Sequence, residues 1–193
     1  MSLAVFYASA LIWAFLCVLV AVVAGAAAGG RPRHWKTALV GLLVGAAFGL
    51  VTGVLFSFVA AMTVFPISLL PALLHSLAIY FTPIALSVAA AGVAGLAVGL
   101  LERRSAAIVR RCLIVGVAFG LVLGIANAAL APVWMNALIP VLEAVGIGRW
   151  SAPSIGVAIM VSGVIMDLAL AVIAFRFVRR RWGAASPATA TVT

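Results

Sequence analysis

Residues 44–53 read VGAAFGLVTG and residues 115–124 read VGVAFGLVLG; eight of ten positions agree, at an interval of 71 in a chain of 193. Neither stretch carries a charge, and each returns to glycine at every fourth place. Four-residue spacing keeps small residues on one slowly turning helix stripe. In lipid no hydrophobic drive brings helices together, so close backbone approach supplies the adhesion. The stretch therefore reads as the contact face of a membrane helix, written twice. Gly41, Gly45, Gly49 and Gly53 form the stripe of a second helix, and Gly116, Gly120 and Gly124 that of a fourth.

The repetition extends outward from these decamers. PALLHSLAIYFTP (71–83) and PVLEAVGIGRWSAP (140–153) share a leading proline, a leucine, an isoleucine, an aromatic residue and a closing proline. Upstream, Ala21, Gly25 and Gly29 match Ala91, Gly95 and Gly99. The unit is thus helix, basic turn, helix and outer segment, about 70 residues long. Because it contains two crossings, both copies enter the membrane in the same direction, as parallel repeats do.

Composition agrees with lipid as the solvent. Apolar residues make up 67% of the chain and charged residues 8%, against about 25% charged in soluble proteins. Lipid accepts helices or closed barrels, because each unpaired backbone group there costs several kcal/mol. The apolar runs are long and do not alternate, which selects helices.

The expected fold is an all-α integral membrane protein with five transmembrane helices, two parallel hairpin repeats plus a fifth helix. Spans are expected over 3–29, 37–61, 84–101, 111–131 and 154–178, in a single transmembrane domain 1–182. Outer interfacial segments cover 62–83 and 132–153, and 183–193 (GAASPATATVT) is read as a disordered cytoplasmic tail. Residues 64–81 are apolar enough for a sixth span, but their counterpart carries Asn136, Glu143 and Arg149 and is too polar to cross. Residues 1–28 also invite reading as a signal peptide. No Lys or Arg precedes their apolar run, however, and the run is too long.

The formal net charge of +9 would suggest nucleic acid in a soluble protein. Here eleven of twelve basic residues fall in three clusters beside spans: Arg31/Arg33/Lys36, Arg103/Arg104/Arg110/Arg111 and Arg176/Arg179/Arg180/Arg181. Such clusters belong on the cytoplasmic side. The expectation is a multi-pass protein of the cell (inner or plasma) membrane, N-terminus outside, C-terminus cytoplasmic, with no nucleic-acid partner. Its partners are the bilayer and anionic lipids at the basic turns, among them RPRHWK with His34. A second copy of the chain or a partner membrane subunit is the protein partner to expect.

Only one acid lies inside a span. Asp167 stands nine residues before Arg176, hence about 13 Å from the edge and near the middle of a core about 30 Å thick. An unpaired carboxylate there costs at least ~2.5 kcal/mol on insertion scales. Three readings follow: a neutral acid bonded to a backbone carbonyl, a proton or cation site, or contact with a basic group of a partner. The same counting puts Gly45, Gly95 and Gly120 near that level, as a collar with room for a water or an ion. Thr52, Asn127 and Ser162 fall in a more outward layer at about 21–24 Å. Interhelical hydrogen bonding is their plainer explanation, and a permeation path the sharper one.

Enzyme chemistry finds little footing. With three acids in the chain, paired-carboxylate chemistry and nucleophilic triads lack a partner. His34 and His75 fall on opposite membrane faces, so no metal or cofactor site is expected. There is no GxxxxGK[ST] loop to drive transport with nucleotide. Cys17 and Cys112 lie at different depths, too far apart for a disulfide, and read as small apolar fillers. The expectation is therefore no enzyme, but a permease-like membrane transport component for an ion or small solute. The alternative is a non-catalytic accessory or assembly subunit of a larger membrane complex.

Overall fold

The computed structural model describes residues 3–28, 34–63, 72–102, 105–144 and 152–182. Five helices account for nearly all of them: α1 (Leu3–Ala27), α2 (His34–Thr63), α3 (Ala72–Glu102), α4 (Ala106–Ala144) and α5 (Ala152–Trp182). Each contains a stretch long and apolar enough to cross a membrane, Ala10–Ala27, Trp35–Val54, Ile84–Glu102, Ala106–Leu130 and Val161–Trp182. The mean hydropathy of these stretches runs from 2.1 to 2.6. Five such helices suggest a multi-pass membrane protein.

Helices α2 to α5 are longer than the expected spans. α3 begins at Ala72 and passes through Pro83 without a break, where the outer segment was expected to end and the span to begin at residue 84. α4 likewise continues through Pro132 and Pro140 to Ala144. A proline removes one backbone hydrogen bond and crowds the preceding turn, but helices in apolar surroundings tolerate it when the freed carbonyl is satisfied nearby. The expected segments 62–83 and 132–153 are thus helical over 62–63, 72–83, 132–144 and 152–153. Their remaining residues, 64–71 and 145–151, lie outside the described residues, as does the tail 183–193. Pro153 stands in the first turn of α5, a position that needs no amide hydrogen.

α1 and α2 pack closely along their length, as do α3 and α4. α1 is the hub, touching all four other helices, whereas α2 touches α1 and α3 and α5 touches α1 and α4. Half of the α1 span is buried against 22% of the α5 span. The sequence of α1 explains its central place. Residues 20–28 read VAVVAGAAA, small on every side, and all but Val22 are buried. Larger side chains there would hold four neighbours apart. The core around it joins Cys17, Val20 and Val23 of α1 to Ala90 and Ala94 of α3, Phe119 and Leu123 of α4, and Ala171 and Val178 of α5.

The glycines sit where helices come closest. A Cβ on Gly41 would lie 2.5 Å from the Cys17 carbonyl oxygen, and one on Gly45 would run into Trp13 and Ala14. In the other hairpin, a Cβ on Gly116 would lie 2.5 Å from the Ala91 carbonyl oxygen, one on Gly120 2.7 Å from that of Ser87, and one on Gly124 2.9 Å from the Ile84 Cα. Real Cβ atoms do not approach a backbone so closely, so only glycine allows these contacts. Gly49 and Gly53 are buried as well.

The two hairpins differ in register. Gly95 of α3 meets Cys112, but its counterpart Gly25 meets Thr37 rather than Gly41, the counterpart of Cys112. Gly45 likewise meets Trp13 and Ala14, whereas its counterpart Gly116 meets Ala91, the counterpart of Ala21, so the slide is between one and two helical turns. Its cause is local: α1 ends at Ala27 before GGRP (29–32), a sequence that cannot continue a helix, whereas α3 runs on to Glu102.

Both cysteines are free and buried. They tie the hairpins together, the Cys112 thiol facing the Ala24 carbonyl at 3.4 Å and the Cys17 thiol facing that of Ala90 at 3.9 Å.

Candidate functional site

Asp167 is 4% exposed. It lies on the one stripe of α5 that faces the bundle, with Gly163, Ala171 and Val178. Its neighbours on α5, Leu168 and Ile165, point outward. The residue that meets it comes from α4. Asn127 Nδ2 donates to Asp167 Oδ1 at 3.0 Å and, with its second hydrogen, to the Leu123 carbonyl at 3.0 Å. The second bond is the back-bond of a polar side chain to its own helix, which fixes the amide and leaves the first hydrogen aimed at α5. Among the described residues, Asn127 alone hydrogen-bonds Asp167.

Space for this contact comes from Gly163, one turn from Asp167 on α5. A Cβ there would stand 3.4 Å from Asn127 Oδ1, ordinary van der Waals contact, so alanine would still fit. Gly163 is a site residue that sequence reasoning missed. The signal was present in GVIMD (163–167), where a glycine four residues before an intramembrane acid marks the same helix face.

Asn127 and Asp167 therefore share one level, which corrects the expectation of two layers. Depth was counted from Arg176 for Asp167 and from Arg111 for Asn127, as if both arginines marked the same edge. They do not. α5 continues past Arg176 to Trp182, and there the Arg111 guanidinium lies 5.6 Å from the Trp182 ring centre. Fifteen residues separate Asp167 from Trp182 and sixteen separate Asn127 from Arg111. The pair thus lies about 22–24 Å from the Arg111–Trp182 level, and the antiparallel register of α4 and α5 closes on itself.

The other expected members are placed elsewhere. Thr52 is buried on α2 and donates to the Gly49 carbonyl of its own helix at 3.1 Å. α2 packs on α1 and α3, not on the helices of the pair. Ser162 is half-buried on α5, five residues from Asp167 and so about 140° around the helix. Nor do Gly45, Gly95 and Gly120 form a collar around Asp167. The space at each is taken by a neighbouring helix: α1 at Gly45, α4 at Gly95, and α3 at Gly120.

Chemically, the arrangement is a carboxyl group with one oxygen held by an amide donor, in apolar surroundings. An amide N–H can donate to a carboxylate or to the carbonyl oxygen of a neutral acid, more strongly to the carboxylate, so the pair can hold either protonation state. Among the described residues no cluster of three His, Cys, Asp or Glu side chains could bind a metal ion. No protein-family model, curated protein or solved structure matches the chain.

Proposed function

We propose that this chain is a multi-pass protein of the cell membrane acting as a small permease-like transport component, with the Asn127–Asp167 pair as its proton or cation site. In this reading the N-terminus lies outside, the basic end of the bundle is cytoplasmic, and the two hairpins are copies of one unit. The observation that carries it is the buried carboxyl of Asp167, bonded to Asn127 and far from both ends of α5. A buried acid in an apolar bundle is costly to keep, which makes a functional use its default explanation. The site exchanges a proton or a small cation at the carboxyl oxygens, while Asn127 keeps the side chain aimed.

Carbodiimide labelling tests the site. A hydrophobic carbodiimide adds to a protonated carboxylic acid and ends as a stable acylurea, and the side-chain targets are Glu102, Glu143 and Asp167 alone. The expected result is modification of Asp167 that slows as pH rises and on addition of the transported cation. Labelling indifferent to pH and to sodium, potassium or lithium would remove the ion-site reading.

A second reading is kept because of α5. Its outer face exposes Val161, Ile165, Val172, Ile173 and Phe177, and among the described apolar stretches that of α5 is the least buried. Such a face suits a helix of a larger membrane complex, with the chain as an accessory or assembly subunit. In that case a partner co-purifies in mild detergent and the isolated chain moves no ions.

A further inference from the structure

Between α1 and α5 runs a cleft of about 680 Å³. One wall is apolar α1, Leu19, Val22 and Val23; the other is α5 from Leu168 through Val172 to Phe175. At its basic end the cleft is closed by Arg176, Arg179 and Arg180. From Leu168 to Arg180 the α5 wall spans twelve residues, about 18 Å of helix. The cleft is therefore amphiphilic along its length, with hydrocarbon walls leading into three guanidinium groups.

Those guanidinium groups need anions. The chain has twelve basic residues and three acids, so its own acid side chains leave a formal charge of +9 to be balanced from outside. Arg176 has the strongest need. It lies six residues before Trp182, about 9 Å deeper than the ring that marks the end of the helix. A long side chain can reach back toward the headgroups, but a phosphate drawn into the cleft would meet it in place. Arginine binds phosphate with two parallel hydrogen bonds, and positions 176, 179 and 180 fall on one face of α5.

We propose that the α1–α5 cleft binds one anionic phospholipid, its phosphate on Arg176, Arg179 and Arg180 and one acyl chain along Val22, Leu168 and Val172. The lipid comes from the leaflet at the basic end of the bundle. Bound there, it covers the least buried helix and holds α5 against the hub.

The test uses the full chain, purified and delipidated in mild detergent, with bound lipids counted by native mass measurement. Dioleoyl phosphatidylglycerol should bind as a single retained copy, and dioleoyl phosphatidylcholine should not. The combined substitutions Arg176→Gln, Arg179→Gln and Arg180→Gln should weaken retention by at least roughly tenfold, since three basic residues near the anionic headgroup are lost together. Arg110→Gln, exposed at the same end but outside the cleft, should leave retention unchanged. Val172→Trp keeps every arginine and fills the apolar wall from an exposed position, so it too should displace the lipid. If the triple variant fails to fold, Val172→Trp decides. Equal retention of the two lipids, a triple variant that binds as wild type, or indifference to Val172→Trp would each overturn the site. So would a dimer that forms in place of the lipid complex.

Discussion

Asn127 spans two helices, giving one amide hydrogen to Leu123 on its own helix and the other to Asp167 on α5, each at 3.0 Å. α4 and α5 otherwise touch sparingly, so this polar contact is a main tie between them. Side-chain hydrogen bonds between membrane helices average about 0.6 kcal/mol and reach about 1.7. A double-mutant cycle with Asn127→Ala and Asp167→Ala, followed by thermal unfolding in detergent, should give a coupling of about 0.5–1.5 kcal/mol. Additive effects would mean that the two groups stabilise nothing through each other.

The glycines make a sharper demand. At Gly116 even the smallest side chain would press a Cβ to 2.5 Å from the Ala91 carbonyl oxygen, and at Gly41 to 2.5 Å from that of Cys17. Backbone cannot rotate away as a side chain can. Gly116→Ala and Gly41→Ala should therefore each destabilise by about 1–3 kcal/mol, the usual range for overpacking, and leucine should do worse. Val122→Leu, at an exposed position of α4, should change stability little. Loss of melting temperature at Val122 equal to that at Gly116 would show that the close approach is not there.

Native thiols and introduced ones should behave oppositely. Cys17 is 1% exposed and Cys112 0%, so neither should react with a maleimide until the protein is denatured. Against that silent background, cysteine placed at Ser105, exposed at the basic end, should label from the cytoplasmic side of sealed vesicles. Cysteine placed at Ala137 should label from the other side. Labelling of both from one side would overturn the proposed topology, and labelling from exchanged sides would reverse it.

Much of this bundle was legible in the sequence because membrane helices announce themselves by length and apolarity. The hub was not. Protein and lipid are equally apolar neighbours, so hydropathy cannot say which helix is surrounded by which. The cue for α1 was instead its run of small residues, VAVVAGAAA, which only crowding on all sides requires. Asp167 stood out as a lone acid, but its partner did not. Counting depth from Arg176 placed Asp167 and Asn127 in separate layers, because a basic residue was read as the end of a helix that continues to Trp182. Pro83 misled in the same way: proline was taken as a boundary where an apolar helix carries it through. Gly163 was overlooked because its role is to leave room for a side chain on another helix.

The central claim is that Asp167 exchanges an ion within the bundle, and flux measures it directly. The purified chain, reconstituted in parallel vesicle batches holding a pH-sensitive or a sodium-sensitive dye, is given a potassium diffusion potential with valinomycin, then a sodium gradient. Wild type should move protons or sodium above the rate of empty vesicles. Asp167→Asn should abolish the flux while helix content and melting temperature stay near wild type, because the amide keeps the volume and the bond to Asn127 but cannot ionise. Flux that persists unchanged in Asp167→Asn, or wild-type vesicles no more permeable than empty ones, would contradict the account.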